Sequence, residues 1–163
     1  MAPTMEQPLV PRAQTLVQQL GLQPHPEGGF YREIFRSATV VPTQRGPRAA
    51  LTTIDFLLGR GQFSAWHRVR SDEVWHLLEG GPLRLWLLPA DLSRVEHVDL
   101  GLAPPRQVVP ADWWQAAEPL GDFAHVGATV APGFDFADFS FGRDDAPLCA
   151  ALDRLAPELR RLL

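Results

Sequence analysis

Residues 63–81 read FSAWHRVRSDEVWHLLEGG, and this stretch decides the fold. Phe63, Ala65, His67 and Val69 fall on one face of an extended segment, with Ser64, Trp66 and Arg68 on the other. That period of two is the mark of a β-strand. The polar turn Arg70-Ser71-Asp72 leads into a second strand, in which Glu73, Trp75 and Leu77 share a face. If the two strands pair as a hairpin, His67 and Glu73 meet inside one apolar wall. An imidazole and a carboxylate in a concave apolar site can tune each other's pKa, share a proton or bind a metal.

Short strands continue in both directions. Glu79-Gly80-Gly81-Pro82 reads as a hairpin turn between 72–78 and 83–88. Strands are expected at 30–37, 49–58, 95–100, 106–109, 113–117, 123–130 and 138–141. VPTQRGPR at 41–48 reads as a loop, and HPEGGF at 25–30 as a turn built on Glu27, Gly28 and Gly29. Helices are expected at the ends only. PRAQTLVQQL at 11–20 gathers Leu16, Val17 and Leu20 on one face, with Gly21 as a left-handed cap. Residues 144–152 and 157–162 form a helical tail. About nine or ten strands at intervals of roughly 8–12 residues describe an all-β sandwich, barrel or jelly roll.

The chain has 163 residues, enough for one domain with its own core. A hydrophobic fraction of 45% with 21% charged residues excludes a disordered tail. One cysteine, Cys149, excludes an internal disulfide or a cysteine metal cluster. The net charge of −4 leaves no electrostatic footprint for nucleic acid. No apolar run approaches the ~20 residues of a membrane span, and MAPTMEQPLV lacks the pattern of a secretory signal. A cytoplasmic protein is the expectation. All 15 basic residues are arginine, so no lysine Schiff base or Walker lysine is available.

The spacing Gly61-x5-His67-x5-Glu73-x6-Gly80 resembles the first motif of the cupin superfamily, with Val69 where that motif has a second histidine. HPEGGFYREIFRS at 25–37, WHRVRSDEVWHLLEGG at 66–81 and TVAPGFDFADFSF at 129–141 are together similar to one branch, the uncharacterised cupin family 5. The resemblance implies a double-stranded β-helix, the cupin jelly roll, with an N-terminal helix and a short helical C-terminal tail. It implies a single cupin domain over 1–163, with its core at about 16–143 and the tail at 144–163. It also implies a pocket at the barrel mouth, and a homodimer in which N-terminal strands reach the partner's sheet. The second cupin motif falls on Pro110-Ala111-Asp112-Trp113-Trp114-Gln115. Asp112 stands for its glycine and Gln115 for its last histidine ligand.

These residues suggest an uncharacterised cupin that binds a small polar metabolite, such as a sugar or nucleotide-sugar. Metal-free proton transfer of the epimerase or isomerase kind is the leading chemistry. His67 is the candidate base, Glu73 its orienting group or acid, and Tyr31, the one tyrosine, a candidate acid. Gln115, Glu33, Trp75 and His125 are candidate substrate-binding residues, with Trp75 as a stacking wall. Arg32 and Arg36 share a strand face and suit either an anion or solvent. Asp135 and Asp138 suit buried salt bridges to arginine. No cofactor is expected. His67 and Glu73 with Gln115 or His125 would be the ligands of a weakly held divalent ion, and a metal-dependent oxidoreductase or isomerase is one alternative. A non-catalytic small-molecule binding module is the other.

Overall fold

A computed structural model describes residues 7–26 and 28–163, so Glu27 of the expected 25–30 turn lies outside the described residues. Helix α1 (Pro11–Gln19) precedes strands β1 (Gln23–Pro24), β2 (Phe30–Arg36), β3 (Val40–Val41), β4 (Arg48–Ala49) and β5 (Thr52–Gly59). Then follow β6 (Ser64–Val69), β7 (Asp72–Gly80), β8 (Leu83–Leu88), β9 (Glu96–Leu100) and β10 (Arg106–Val109). Strands β11 (Trp114–Pro119), β12 (Phe123–Ala131) and β13 (Phe139–Phe141) complete the set. Helix α2 (Ala146–Leu155) and a 3-10 helix (Pro157–Leu162) close the chain.

Two antiparallel sheets face one another as a jelly roll. One has the order β1-β2-β5-β12-β7-β10 and the other β13-β6-β11-β8-β9. β3 and β4 form a small ribbon at the two ends of the expected 41–48 loop. β6 and β7 do not pair, which corrects the hairpin expectation: the Arg70-Ser71 turn carries the chain from one sheet to the other. The same holds for β7 and β8, whose turn at Gly80-Gly81 also crosses between sheets. Each of these strands has one apolar face. Placing successive strands in opposite sheets lets those faces close on each other across the core.

That core joins Phe56, Leu58, Trp75 and Val126 of the first sheet to Leu83, Leu85, Leu87 and Ala117 of the second. A second cluster lies on the outer face of the second sheet. There Trp66, Trp114 and Leu88 meet Leu148, Leu152, Leu159 and Leu162 of the C-terminal helices. The Trp66 indole also donates to the Leu159 carbonyl at 3.1 Å, so the tail is packed rather than appended. α1 covers the outer face of the first sheet through Ala13 and Leu16 on Leu57. Its end is the expected glycine cap. Gly21 has φ 62°, and the Leu22 and Gly21 amides return to the Val17 and Gln18 carbonyls.

Candidate functional site

The inner face of the first sheet presents its side chains in rungs. Register places Arg36, Thr52, Val130 and Glu73 on one rung, and Glu33, Ile54, Ala128 and Trp75 on the next. Tyr31 and Phe56 follow. Simple alternation along β2 would put Arg36 on the opposite face from Tyr31 and Glu33. A bulge between Glu33 and Phe35 reverses that phase, so all three face inward. On the facing sheet, His67 of β6 sits beside Gln115 of β11.

A cavity of about 340 Å³ opens between these faces. His67, Glu73, Tyr31 and Glu33 line it, together with His25, Arg36, Thr52 and Ile54. The segment 134–139 closes one side with Phe134, Asp135, Phe136 and Phe139. His67 and Glu73 therefore line the cavity from opposite sheets rather than along a hairpin. Both are buried, at 3% and 7% exposure.

Hydrogen bonding orients the two groups. His67 Nδ1 lies 2.7 Å from the Ala65 carbonyl oxygen. A carbonyl only accepts, so Nδ1 carries a proton and the Ala65 contact fixes the orientation of the ring. The ring is stacked on Phe139, with centroids 5.4 Å apart at 18°. Glu73 is held by a relay of buried groups. The Trp75 indole donates to Gln115 Oε1 at 2.7 Å, and Gln115 Nε2 donates to Glu73 Oε2 at 2.6 Å. An indole N–H has no acceptor capacity, so it fixes which end of the Gln115 amide faces the carboxylate. Glu73 Oε2 is consequently an acceptor.

This arrangement reassigns three residues. Trp75 and Gln115 are not cavity-lining groups; they stand behind Glu73 and set its orientation. Trp75 packs edge-on against Phe56 in the core and offers no stacking wall. His125 is on the outer face of β12, opposite Ala128 and Val130, where its Nε2 lies 3.0 Å from Asp55 Oδ1. Strand alternation puts it there, with Thr129, whose hydroxyl meets Thr53 at 2.9 Å.

Cupins bring a metal to mind, and the donor set can be tested for one. Among the described residues no three His, Cys, Asp or Glu side chains converge as ligands. Gln115 could ligate only through Oε1, which already accepts from Trp75. His125 points away from the cavity. Val69 occupies the second-histidine position and offers no donor atom. Among the described residues, then, the two further ligands expected for His67 and Glu73, Gln115 and His125, are both engaged elsewhere.

Other motif positions are structural. Asp112, at the glycine position of the second cupin motif, keeps the backbone that glycine serves, with φ 67°. Gly28 has φ 110°, and a Cβ there would lie 2.1 Å from the Phe63 carbonyl oxygen. Asp138 is 3% exposed and bridges two arginines. Arg48 reaches it at 2.8 and 3.0 Å and Arg45 at 3.0 Å. The hydrogen bond from Arg48 holds the Asp138 carboxyl below the usual carboxylate range, against the opposing effect of burial. Asp135 instead caps the Ala137 amide and faces the cavity.

Sequence reasoning missed Arg36 as an inward group, and it missed His25 and the phenylalanines of 134–139 as cavity walls. A β-bulge has no marker in FYREIFR, and a loop reaches a cavity only through tertiary packing. Arg36 itself is held by Glu33 at 2.8 and 2.9 Å and donates to the Phe134 carbonyl at 3.1 Å. The Glu33 carboxylate raises its pKa above the ordinary guanidinium value.

Comparison with known proteins agrees with this architecture. A structure from Leishmania major, described as a hypothetical protein, is 30% identical, with a TM-score of 0.77 over 92% of this chain and 97% of that one. A Shewanella oneidensis protein is 30% identical, with a TM-score of 0.79 over 92% of this chain and 96% of that one. Oxalate decarboxylase from Bacillus subtilis shares the fold alone, at 15% identity and a TM-score of 0.57 over 86% of this chain and 36% of its own. A stretch of 55 residues is 40% identical to a DNA gyrase polypeptide of Mycolicibacterium flavescens. It covers 34% of this chain and only 9% of that protein, and nothing of the gyrase's activity is carried over. Residues 14–142 match the family described as Cupin superfamily (DUF985), the stretch that holds both sheets, the His67–Glu73 cavity and the Gln115 relay, and the chain is a member of that family.

Proposed function

We propose that this protein binds a small polar metabolite in the cavity between its sheets and moves a proton on it, with His67 as the base. The observation that carries the reading is the placement of His67 and Glu73, both buried, on the wall of one cavity from facing sheets, with the His67 ring oriented by its Nδ1–Ala65 hydrogen bond. Nε2 would take a proton from a carbon next to a carbonyl, and the electron pair would move onto the carbonyl oxygen. Tyr31, also in the lining, would donate to that oxygen. Delivery of that proton to the neighbouring carbon completes an isomerisation, and reprotonation of the same carbon on its opposite face an epimerisation; Tyr31 recovers its proton as the carbonyl re-forms, and there is no net redox change. Glu73 would balance the charge of the imidazolium. The volume of about 340 Å³ suits a sugar-sized molecule. A nucleotide-sugar fits less well, because its phosphates would meet Glu33, Glu73 and Asp135.

The test is proton–deuteron exchange in D₂O, followed by NMR on a panel of keto and aldo sugars. Exchange should fall at least ~10²-fold in His67→Ala, the lower range for a placed general base. Unchanged exchange in that variant refutes the assignment. A sugar that binds but is recovered without exchange makes the chain a binding module instead.

A homodimer belongs to the same proposal. Only the two-residue β1 pairs with the outer edge of β2 among the described residues, and Ile34 and Phe35 on that strand are 53% and 54% exposed. An open strand edge with apolar side chains is suited to pairing with a second copy. Sedimentation of the wild type and of Ile34→Lys checks it; a monomeric wild type rules it out.

A further inference from the structure

Strand register distributes polarity unevenly across the cavity. On the first sheet the order β2-β5-β12-β7 sets Arg36, Thr52, Val130 and Glu73 side by side, with Glu33, Ile54, Ala128 and Trp75 on the next rung. The charged groups that line the cavity from this sheet therefore sit on its two flanks, Glu33 and Arg36 on β2 and Glu73 on β7. Tyr31 lies on the β2 flank as well. Three strand spacings of ~4.8 Å, about 14 Å in all, separate β2 from β7. Between the flanks the lining is Ile54, Ala128 and Val130, with Thr52 as the one polar residue. Thr52 is 1% exposed, and its hydroxyl already accepts from the Phe134 amide at 2.9 Å. The backbone of β5 and β12 is paired within the sheet. The facing wall continues the strip, where Val69 and Phe139 are partners across β6 and β13 and both line the cavity beside His67.

A ligand hydroxyl laid over this middle strip would leave water and meet methyl groups instead of a hydrogen-bond partner. A polar group buried that way is costly, whereas bare carbon gains from the same contact. The bias is the same in every protonation state of the histidines and of Glu73, because the strip itself bears no titratable group. A mainly apolar wall with a few polar groups to fix orientation is the usual make-up of a small-molecule site.

We propose that the cavity takes a ring-bearing carbonyl compound: a ligand whose bare carbon ring covers Ile54, Ala128 and Val130 and whose carbonyl lies toward the Tyr31 flank. The proposal rests on the reading of this cavity as the ligand site, and it narrows the ligand from a fully hydroxylated sugar to a compound with an apolar middle.

Three uncharged ketones test it on the full chain: acetophenone, cyclohexyl methyl ketone and D-fructose. The first two join one carbonyl to a bare ring, and the third surrounds its carbonyl with hydroxyls. Binding is measured by calorimetry and by NMR of methyl-labelled protein. Both ring ketones should bind at least ~tenfold more tightly than fructose, with shifts at the methyls of Ile54, Val69 and Val130. Val130→Thr keeps the side-chain shape and sets one hydroxyl in the strip. It should weaken both ring ketones about threefold to tenfold, the order expected when a methyl contact is lost, and leave fructose unweakened. Ala128→Ser adds a hydroxyl on the neighbouring rung and replaces Val130→Thr if that variant does not melt cooperatively. Fructose binding as tightly as the ring ketones, shifts that avoid those methyls, unchanged ring-ketone affinity in the folded variant, or no binding of either ring ketone at millimolar concentration overturns the proposal. Ring-ketone preference without His67-dependent exchange on any probe keeps the ligand class and rejects the catalytic reading. His67-dependent exchange on sugars, with neither ring ketone bound, keeps the catalytic reading and overturns this one.

Discussion

Replacing Asp138 with asparagine perturbs the most deeply buried charge among the described residues, and its size can be worked out from the contacts. The carboxylate is 3% exposed and accepts three hydrogen bonds from two guanidinium groups. Asparagine keeps the shape but turns an amide donor toward arginine donors. Breaking a buried ion pair by removing one partner costs about 3–5 kcal/mol, roughly a fifth or more of the ~5–15 kcal/mol that holds an ordinary domain. For a chain of this length that is a drop in Tm of about 6–20 °C. The pH dependence supplies a second readout. Arg48 lowers the folded-state pKa of Asp138, so the carboxylate's contribution is complete above the unfolded value near ~3.9 and is lost as pH falls through the folded value. Urea denaturation of wild type and Asp138→Asn between neutral pH and about pH 3 should show a gap that is widest at neutral pH and narrows in acid. The segment also carries Phe136 and Phe139, so the variant should bind cavity ligands less well. A loss below about 1 kcal/mol, with a gap that does not change with pH, would refute the claim that this ion triad clamps the cavity wall.

Gln115→Leu should cost at least about 1–3 kcal/mol in urea denaturation, because it strips a partner from both the buried Trp75 indole and the Glu73 carboxylate. Adding Trp75→Phe should then cost clearly less than it does in the wild-type background, since both residues act through one relay. Asp112→Val should destabilise by about 1–2 kcal/mol at a φ of 67°, whereas Asp112→Gly should be tolerated; thermal melts of the two variants decide it.

Much of the fold was legible from local pattern. The alternation around His67, the expected span 83–88, and Gly21 as a helix cap all recur with nearly the expected bounds. These features depend on side-chain period and backbone freedom over a few residues, which sequence carries directly. The inward placement of His67 and Glu73 was legible for the same reason, through the alternation of each strand and the spacing between the two.

What the chain's order alone could not settle was which sheet each strand joins. Turns at Arg70-Ser71 and Gly80-Gly81 look local, yet both cross the core, because apolar faces there bury more surface against each other than a flat hairpin would. That choice brings Gln115 across the core to Trp75 and Glu73, while one bulge in β2 turns Arg36 inward. The residue types and their period were decided by sequence. The partners across the cavity were decided by packing, because contacts between residues about 40 apart exist only once the two sheets close.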